Sequence, residues 1–246
     1  LNYANKKLKK VKPKDAIKHP NWKMGKKISI DSATLMNKVF EIIEAQRIFN
    51  INIKKFEILI HPKSYIHSIV KFINGQIKIL AHDTDMKIPI FNALYDGKNQ
   101  NYKSKKINFN IINNPDFRVP NLNQFPILNI LKLVSNKNTL FETILISAND
   151  ELVHNYLSGN INYSSINRLL FKIIRFKSFK KYFTKIPKDL YEIIDLSNQV
   201  RLKTKKLCIE LSKLISSLIP LKYLCPFNIS HLELISFSGS KFGLSP

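Results

Sequence analysis

From residue 125 to residue 218 the apolar side chains recur at helical spacing, and no other feature of the chain narrows its fold as far. In the last run Val200, Leu207, Leu211, Leu214 and Leu218 step by 7, 4, 3 and 4, which stacks them along one face of a helix. The spacing predicts a long helix over 188–218, ended by Pro220. Three shorter helices precede it. One covers 126–134, one covers 139–157 with Ser158-Gly159 as its stop, and one is capped by Ser164 or Ser165 and runs to Lys177. Four helices with short links predict a small bundle over 122–218.

The front of the chain reads differently. Residues 27–30 (KISI) and 56–60 (FEILI) have strand character, the second stopped by His61-Pro62. Residues 66–73 and 76–81 flank Asn74-Gly75, a strong hairpin signal because both turn positions tolerate positive φ. Between the first two runs, Asp31 or Ser32 opens a helix to about Phe49, with Leu35, Met36, Val39, Phe40, Ile42 and Ile43 on one broad side. The expectation is an α+β chain with a small mixed sheet and covering helices over 1–95. A polar, turn-rich linker at 96–121 and then the helical bundle follow. Residues 1–18 read as a lysine-rich surface arm, and 219–246 as an atypical tail.

Composition removes several classes. No run of 18 apolar residues is present, so no segment reads as a membrane-spanning helix. With 6 Gly in 246 residues and neither G-x-G-x-x-G nor G-x-x-x-x-G-K-[ST], the chain carries no nucleotide-phosphate loop of a known type. Cys208 and Cys225 make no disulfide framework and fit a reducing compartment. The formal net charge of +23 points to polyanions. Yet only five of the 40 basic residues are Arg (47, 118, 168, 175 and 201), and readers of DNA sequence favour Arg for its bidentate fork. Lys, Asn and Ile, all with AT-rich codons, dominate together, so the excess reads more readily as base-composition drift than as a nucleic-acid surface.

Residues 27–44 carry the best candidate site. A helix start at Asp31, Ser32 and Thr34 would offer unpaired N–H groups to an anion. Asn37, Lys38 and Glu41, three and four residues apart, would share one face above it. That set suits a phosphorylated polar substrate, with Glu41 free to bind a divalent metal through oxygen. The plainer alternative is an N-cap followed by a surface ion pair. His19 and Trp22 share a loop with Gly25, as a ligand-covering lid or a core anchor. His61 and His67 have no metal-ligand spacing and fit the rim of a sheet. His82, Asp83 and Asp85 read as a solvated turn, and Asn149, Asp150 and Glu151 as a solvated helix face from which Asn149 could donate inward.

As strings, these segments say more. HPNWKMGKKISIDSATLMNKVFEIIEA (19–45) closely resembles HPNWxMGxKIxxDSATMMNKGLExIEA, the signature of the 1-deoxy-D-xylulose 5-phosphate reductoisomerase family. IHPKSYIHSIV (60–70) and DMKIPI (85–90) resemble its next two blocks, and LISANDE (145–151) resembles its LNAANE. The resemblance runs from about residue 19 to 218. It implies rearrangement of 1-deoxy-D-xylulose 5-phosphate and reduction by NADPH to 2-C-methyl-D-erythritol 4-phosphate, an isoprenoid precursor, with Mg²⁺ or Mn²⁺ as Lewis acid.

Carried over by motif, Ser32, Asn37 and Lys38 would hold the phosphate, and Glu41 would bind metal and substrate. His19 would contact the substrate, with Glu41 and His19 as the catalytic pair. Trp22 would lie in the closing lid, and Gly25 would pass close to NADPH. A homodimer in the bacterial cytoplasm or a plastid-like organelle is implied as well. The sequence departs from the family in three ways. It has no counterpart of the G-x-T-G-S-I-G loop, of the DSE-like block or of the Ser-Gly-Gly loop; Val39 replaces a helix glycine; and His82-Asp83-Thr84 stands where Gly and Pro are usual. The chain therefore reads as the C-terminal part of such an enzyme. Three expectations follow: a subunit completed by a separate N-terminal half, an inactive remnant, or a lysine-rich polyanion-binding module.

Overall fold

The computed structural model describes residues 11–17, 24–95, 101–106 and 108–223, with side chains placed to residue 213. In chain order the elements are α1 (Pro13–Ala16), α2 (Lys26–Thr34), α3 (Met36–Phe49), β1 (Ile66–Lys71), β2 (Ile77–Ala81), α4 (Lys87–Leu94), α5 (Phe109–Ile112), α6 (Phe141–Leu157), α7 (Tyr163–Ile174) and α8 (Leu190–Tyr223). Short 3₁₀ turns lie at Ile53–Lys55, Pro126–Leu133 and Lys177–Tyr182. The architecture is α+β, with one two-stranded antiparallel sheet.

The core sits on α6. Phe141, Ile144, Leu145, Ala148 and Leu152 are fully buried, and α6 packs on α7 and on α8. From α7 come Ile166, Leu169, Leu170 and Ile173, a facing stripe at helical period. From α8 come Leu196, Val200, Leu207 and Cys208, so the seam expected from the spacing exists as far as the side chains are described. The helix over 126–134 is a 3₁₀ turn instead, started by Pro126. The cap of α7 is Asn162, whose Oδ1 accepts from the Ser165 N–H at 3.0 Å, and not Ser164 or Ser165. An Asn one turn earlier competes better because its carbonyl reaches the free N–H groups. The α8 backbone runs through Pro220 to Tyr223, so Pro220 does not end the helix where the sequence suggested.

The front half needs four corrections. Residues 27–30 are helical, not a strand: Ile30 is fully buried while Ile28 is 41% exposed, whereas a strand would put both on one face. Residues 56–60 make only a single bridge, Ile60 to Arg118, with N–H···O distances of 2.8 and 3.0 Å in the two directions. The turn at Asn74-Gly75 uses positive φ at Gly75 alone (86°), and the Gly75 N–H bonds back to Phe72 at 3.0 Å. Finally, residues 11–17 are not a free arm. Val11 and Ala16 are buried, and Tyr156 donates its hydroxyl to the Val11 carbonyl at 3.1 Å.

The hairpin itself forms in the expected place, with Ile69 opposite Ile79 and Val70 opposite Lys78. No helix covers it among the described residues, and its residues are exposed along nearly their whole length. Residues 224–246 and most of the arm lie outside the described residues.

Candidate functional site

The site is built at an elbow. α2 ends and α3 begins at Leu35, which holds φ 65° and ψ 13°, the left-handed region that a leucine rarely enters. Thr34 manages the break with one hydroxyl. It donates to the Ile30 carbonyl and accepts from the Met36 N–H at 3.3 Å, so the first N–H of α3 is capped from the preceding helix. Asp31 is therefore not an N-cap. It lies in the second half of α2 and is 2% exposed. The helix start that faces the candidate residues is that of α3, four residues later than the sequence suggested. The error came from reading one continuous helix where the chain turns.

Beyond the elbow the three face residues converge. Asn37 donates to one Glu41 oxygen at 2.5 Å, and Lys38 donates to the other at 2.6 Å. The pair stays half in solvent, at 43% and 46% side-chain exposure. Beneath them Met36 and Val39 are fully buried, so the polar groups stand on a fixed floor. The bulk of Val39, in place of a glycine, points into that core. Ser32 is half-buried on α2, and its carbonyl accepts the Leu35 N–H at 3.2 Å. Gly25 precedes α2 with φ −58°, and a Cβ built there meets nothing within 4 Å, so neither backbone nor packing among the described residues demands a glycine. His19 and Trp22 lie outside the described residues.

Three histidines stand nearby. The His67 and His82 rings stack at 3.7 Å, and the His67 ring also meets the His82 carbonyl at 3.1 Å. Burial pulls His67 below the ordinary histidine range, and the charges of His82, Lys38 and His61 push the same way against the His82 carbonyl. His61 bonds the Pro115 carbonyl through Nδ1, while its Nε2 is buried without a hydrogen-bond partner. Asp85 bonds the Lys87 N–H at the start of α4 and accepts from Tyr102 at 3.1 Å, so it is a cap more than a ligand.

Below the elbow is a charged network that sequence reasoning largely missed. Asp31 accepts from Lys27 at 2.7 Å and from Asn149 of α6 at 2.8 Å. Lys27 also pairs with Asp150 at 3.0 Å and sits 5.6 Å over the Phe40 ring, and Arg201 of α8 reaches the other Asp150 oxygen at 2.8 Å. Burial pulls the Lys27 ammonium down, but the hydrogen bonds and charges of Asp31 and Asp150 outweigh it and hold it above the ordinary lysine value. The sequence placed Asn149 on a solvated face, with inward donation as the alternative; it is 1% exposed and donates inward. Its partnership with Asp31, 118 residues away, was not legible.

Two profiles, both described as C-terminal domains of 1-deoxy-D-xylulose 5-phosphate (DXP) reductoisomerase, match residues 1–49 and 82–203. The chain belongs to the DXP reductoisomerase family. The family protein of Pelagibacter ubique is 49% identical over 208 residues, covering 85% of this chain and 54% of that protein. That of Persephonella marina is 38% identical over 181 residues, covering 74% and 48%.

Among solved structures, the DXP reductoisomerase of Zymomonas mobilis in complex with NADPH aligns with TM-score 0.69 at 30% identity, over 82% of this chain and 51% of that one. A reductoisomerase in complex with NADPH, fosmidomycin and magnesium aligns with TM-score 0.75 at 28% identity, over 87% and 53%. The chain thus spans about half the length of the relatives it matches. The elbow, with Ser32, Asn37, Lys38 and Glu41, falls within the first matched stretch, and LISANDE falls within the second.

The family's cofactors can be tested against these residues. A divalent cation of the magnesium type takes about six oxygen ligands. Glu41 offers one carboxylate, already engaged, and no group of three or more His, Cys, Asp or Glu lies together among the described residues. The described residues therefore do not by themselves fit such a cation. Gly25 leaves room for a ligand, since a Cβ built there meets nothing within 4 Å among the described residues.

Proposed function

We propose that this chain supplies the sugar-phosphate-binding wall of a DXP reductoisomerase, the NADPH-dependent enzyme that makes 2-C-methyl-D-erythritol 4-phosphate for isoprenoid biosynthesis. The observation that carries the reading is the convergence of Asn37 and Lys38 on the Glu41 carboxylate at the start of α3. The two Glu41 oxygens already receive what phosphate oxygens would, one an amide donor and the other an ammonium. An exposed pair of this kind is worth roughly 0–1 kcal/mol. An arriving phosphate therefore displaces Glu41 from Lys38 and Asn37 at little cost. Ser32 adds a hydroxyl from α2, and the freed Glu41 accepts from the substrate's hydroxyl groups. His19 and Trp22 belong to the same proposal as the covering loop.

The hairpin favours an assembly. Ile69, Val70, Ile77, Ile79 and Leu80 are each more than 40% exposed, and a lone two-stranded hairpin is marginal in water. Further chain covering it, from the part of the relatives that this sequence does not span or from a second copy as in a homodimer, would bury those rows. A reducing compartment, cytoplasm or plastid-like organelle, fits Cys208, which is buried and free.

The test is a titration of the chain with inorganic phosphate, followed by NMR at the Asn37 and Lys38 amides. It is paired with NADPH oxidation on 1-deoxy-D-xylulose 5-phosphate with and without an N-terminal half taken from a relative. We expect phosphate shifts that the Lys38→Met variant abolishes, turnover only in the reconstituted mixture, and no submicromolar NADPH binding by the chain alone. Zero turnover in both mixtures, with no phosphate shift, would leave an inactive remnant.

A further inference from the structure

We propose that Lys27, Asp31 and Asn149 are positioning residues: they clamp the α2–α3 elbow onto α6 and so fix the direction in which Asn37, Lys38 and Glu41 point. What they aim rests on the sugar-phosphate reading; that they aim it does not. The clamp makes three contacts beyond α2, two to α6 and one to α3. Asp31, 2% exposed, spends one oxygen on Asn149 of α6 and the other on Lys27 of its own helix. Lys27 then reaches forward to two further elements, with its ammonium 3.0 Å from Asp150 of α6 and 5.6 Å over the ring of Phe40 on α3. Phe40 is the residue immediately before Glu41. Arg201 completes the ring by tying Asp150 to α8 at 2.8 Å.

The elbow needs such a clamp because its hinge, Leu35, holds φ 65°, a left-handed conformation that strains a non-glycine residue. Strain of that kind persists only when its surroundings over-determine it. Across the elbow, Thr34 supplies a single capping bond to α3. Buried packing of Ile30, Met36 and Val39 also restrains the angle between α2 and α3 but has no directionality, whereas the charged clamp has. A buried carboxylate with both oxygens engaged by groups from different helices fixes rotation as well as distance. The family blocks around IDSAT and SANDE thus meet in space, although neither Asp31 nor Asn149 touches the candidate phosphate-binding groups.

The test uses the full chain and hydrogen exchange of individual amides. In Asp31→Asn the amides of residues 35–41 should exchange about tenfold faster, the change expected when one charge-assisted buried hydrogen bond is lost. The α7 amides should stay within twofold of wild type. Exchanging the two groups, in D31N/N149D, rebuilds the carboxylate–amide bond in reverse and should bring residues 35–41 back to within threefold. Lys27→Gln, at a half-exposed position that the fold tolerates, should give a smaller acceleration confined to the same residues, and it carries the test if Asp31→Asn fails to fold.

Uniform acceleration throughout the chain, or no rescue by the exchanged pair, would overturn the proposal and leave a merely structural ion cluster. Phosphate titration of the same proteins separates the two readings. Elbow amides that loosen and are rescued as expected, in a wild-type chain that shows no phosphate shift, uphold the clamp and sink the phosphate site.

Discussion

Removing the Glu142 carboxylate should loosen the end of α3 from α6. Glu142 stands in the first turn of α6 and pairs with Arg47, in the last turn of α3 and 95 residues away. Their side chains are 14% and 20% exposed, so solvent screens the pair only partly. Arg47 also donates to the Ser135 carbonyl at 3.2 Å and to Gln46, and the second Glu142 oxygen accepts from Thr139 at 2.9 Å. Breaking a fully buried pair costs about 3–5 kcal/mol; at this exposure about 2 kcal/mol is the reasonable share. The Thr139 bond adds roughly 0.5–1.5 kcal/mol, and a carboxylate at a helix N-terminus adds about 0.3–1 kcal/mol.

Glu142→Ala should therefore lose about 3 kcal/mol in urea unfolding, and the melting temperature should fall by roughly 6–12 °C at this chain length. A double-mutant cycle with Arg47→Met isolates the pair and should return a coupling of about 1.5–2 kcal/mol. A coupling under about 0.5 kcal/mol, or additive losses, would refute the claim that this pair fastens α3 to α6.

Alkaline stability gives a second prediction. Burial, and after it the charge of Glu151, pushes the Cys208 thiol up to about 11 from 9.0, and burial, and after it the charge of Asp15, pushes the Tyr156 phenol up to about 12 from 10.0. Both groups ionise first in the unfolded chain, so the stability they confer is intact below about pH 9 and drains away as pH rises toward 12. The slope is about 1.4 kcal/mol per pH unit for each group inside its window, and Tyr156→Phe should flatten the part above pH 10. A wild-type stability unchanged from pH 9 to 11 would contradict it. In the hairpin, Gly75→Ala meets no atom within 4 Å but must hold φ 86°, so its cost is backbone strain alone, about 1–2 kcal/mol, visible as faster exchange of the β1 and β2 amides and nowhere else. Equal exchange in the variant would mean that the turn has other conformations open to it.

The legible parts of the fold are those where a single period or a single dipeptide decides. The stripe through Val200 and Leu207 packs as its spacing says, and Asn74-Gly75 turns the chain where it should. KISI was misread because alternation over four residues fits a strand and one helical turn equally, and only the contrast between buried Ile30 and exposed Ile28 decides. Asp31 was misread for a related reason. A Ser/Asp/Thr cluster ahead of an apolar run is the usual mark of a helix start, and nothing local announces that a preceding helix already holds it. The relation among Asn37, Lys38 and Glu41 was legible because it depends only on spacings of three and four within one helix.

Sequence by itself determined three of the four helices expected in the bundle, the hairpin, the family and the polar triad of α3, since each is written in neighbours a few residues apart or in a run of identities. Tertiary structure alone decided where α2 stops, what Asp31 does and how α3 is held. Those follow from contacts between residues about a hundred positions apart, Asp31 with Asn149 and Arg47 with Glu142. Buried charges must find partners wherever the packing brings them, and no local pattern encodes which partner that will be.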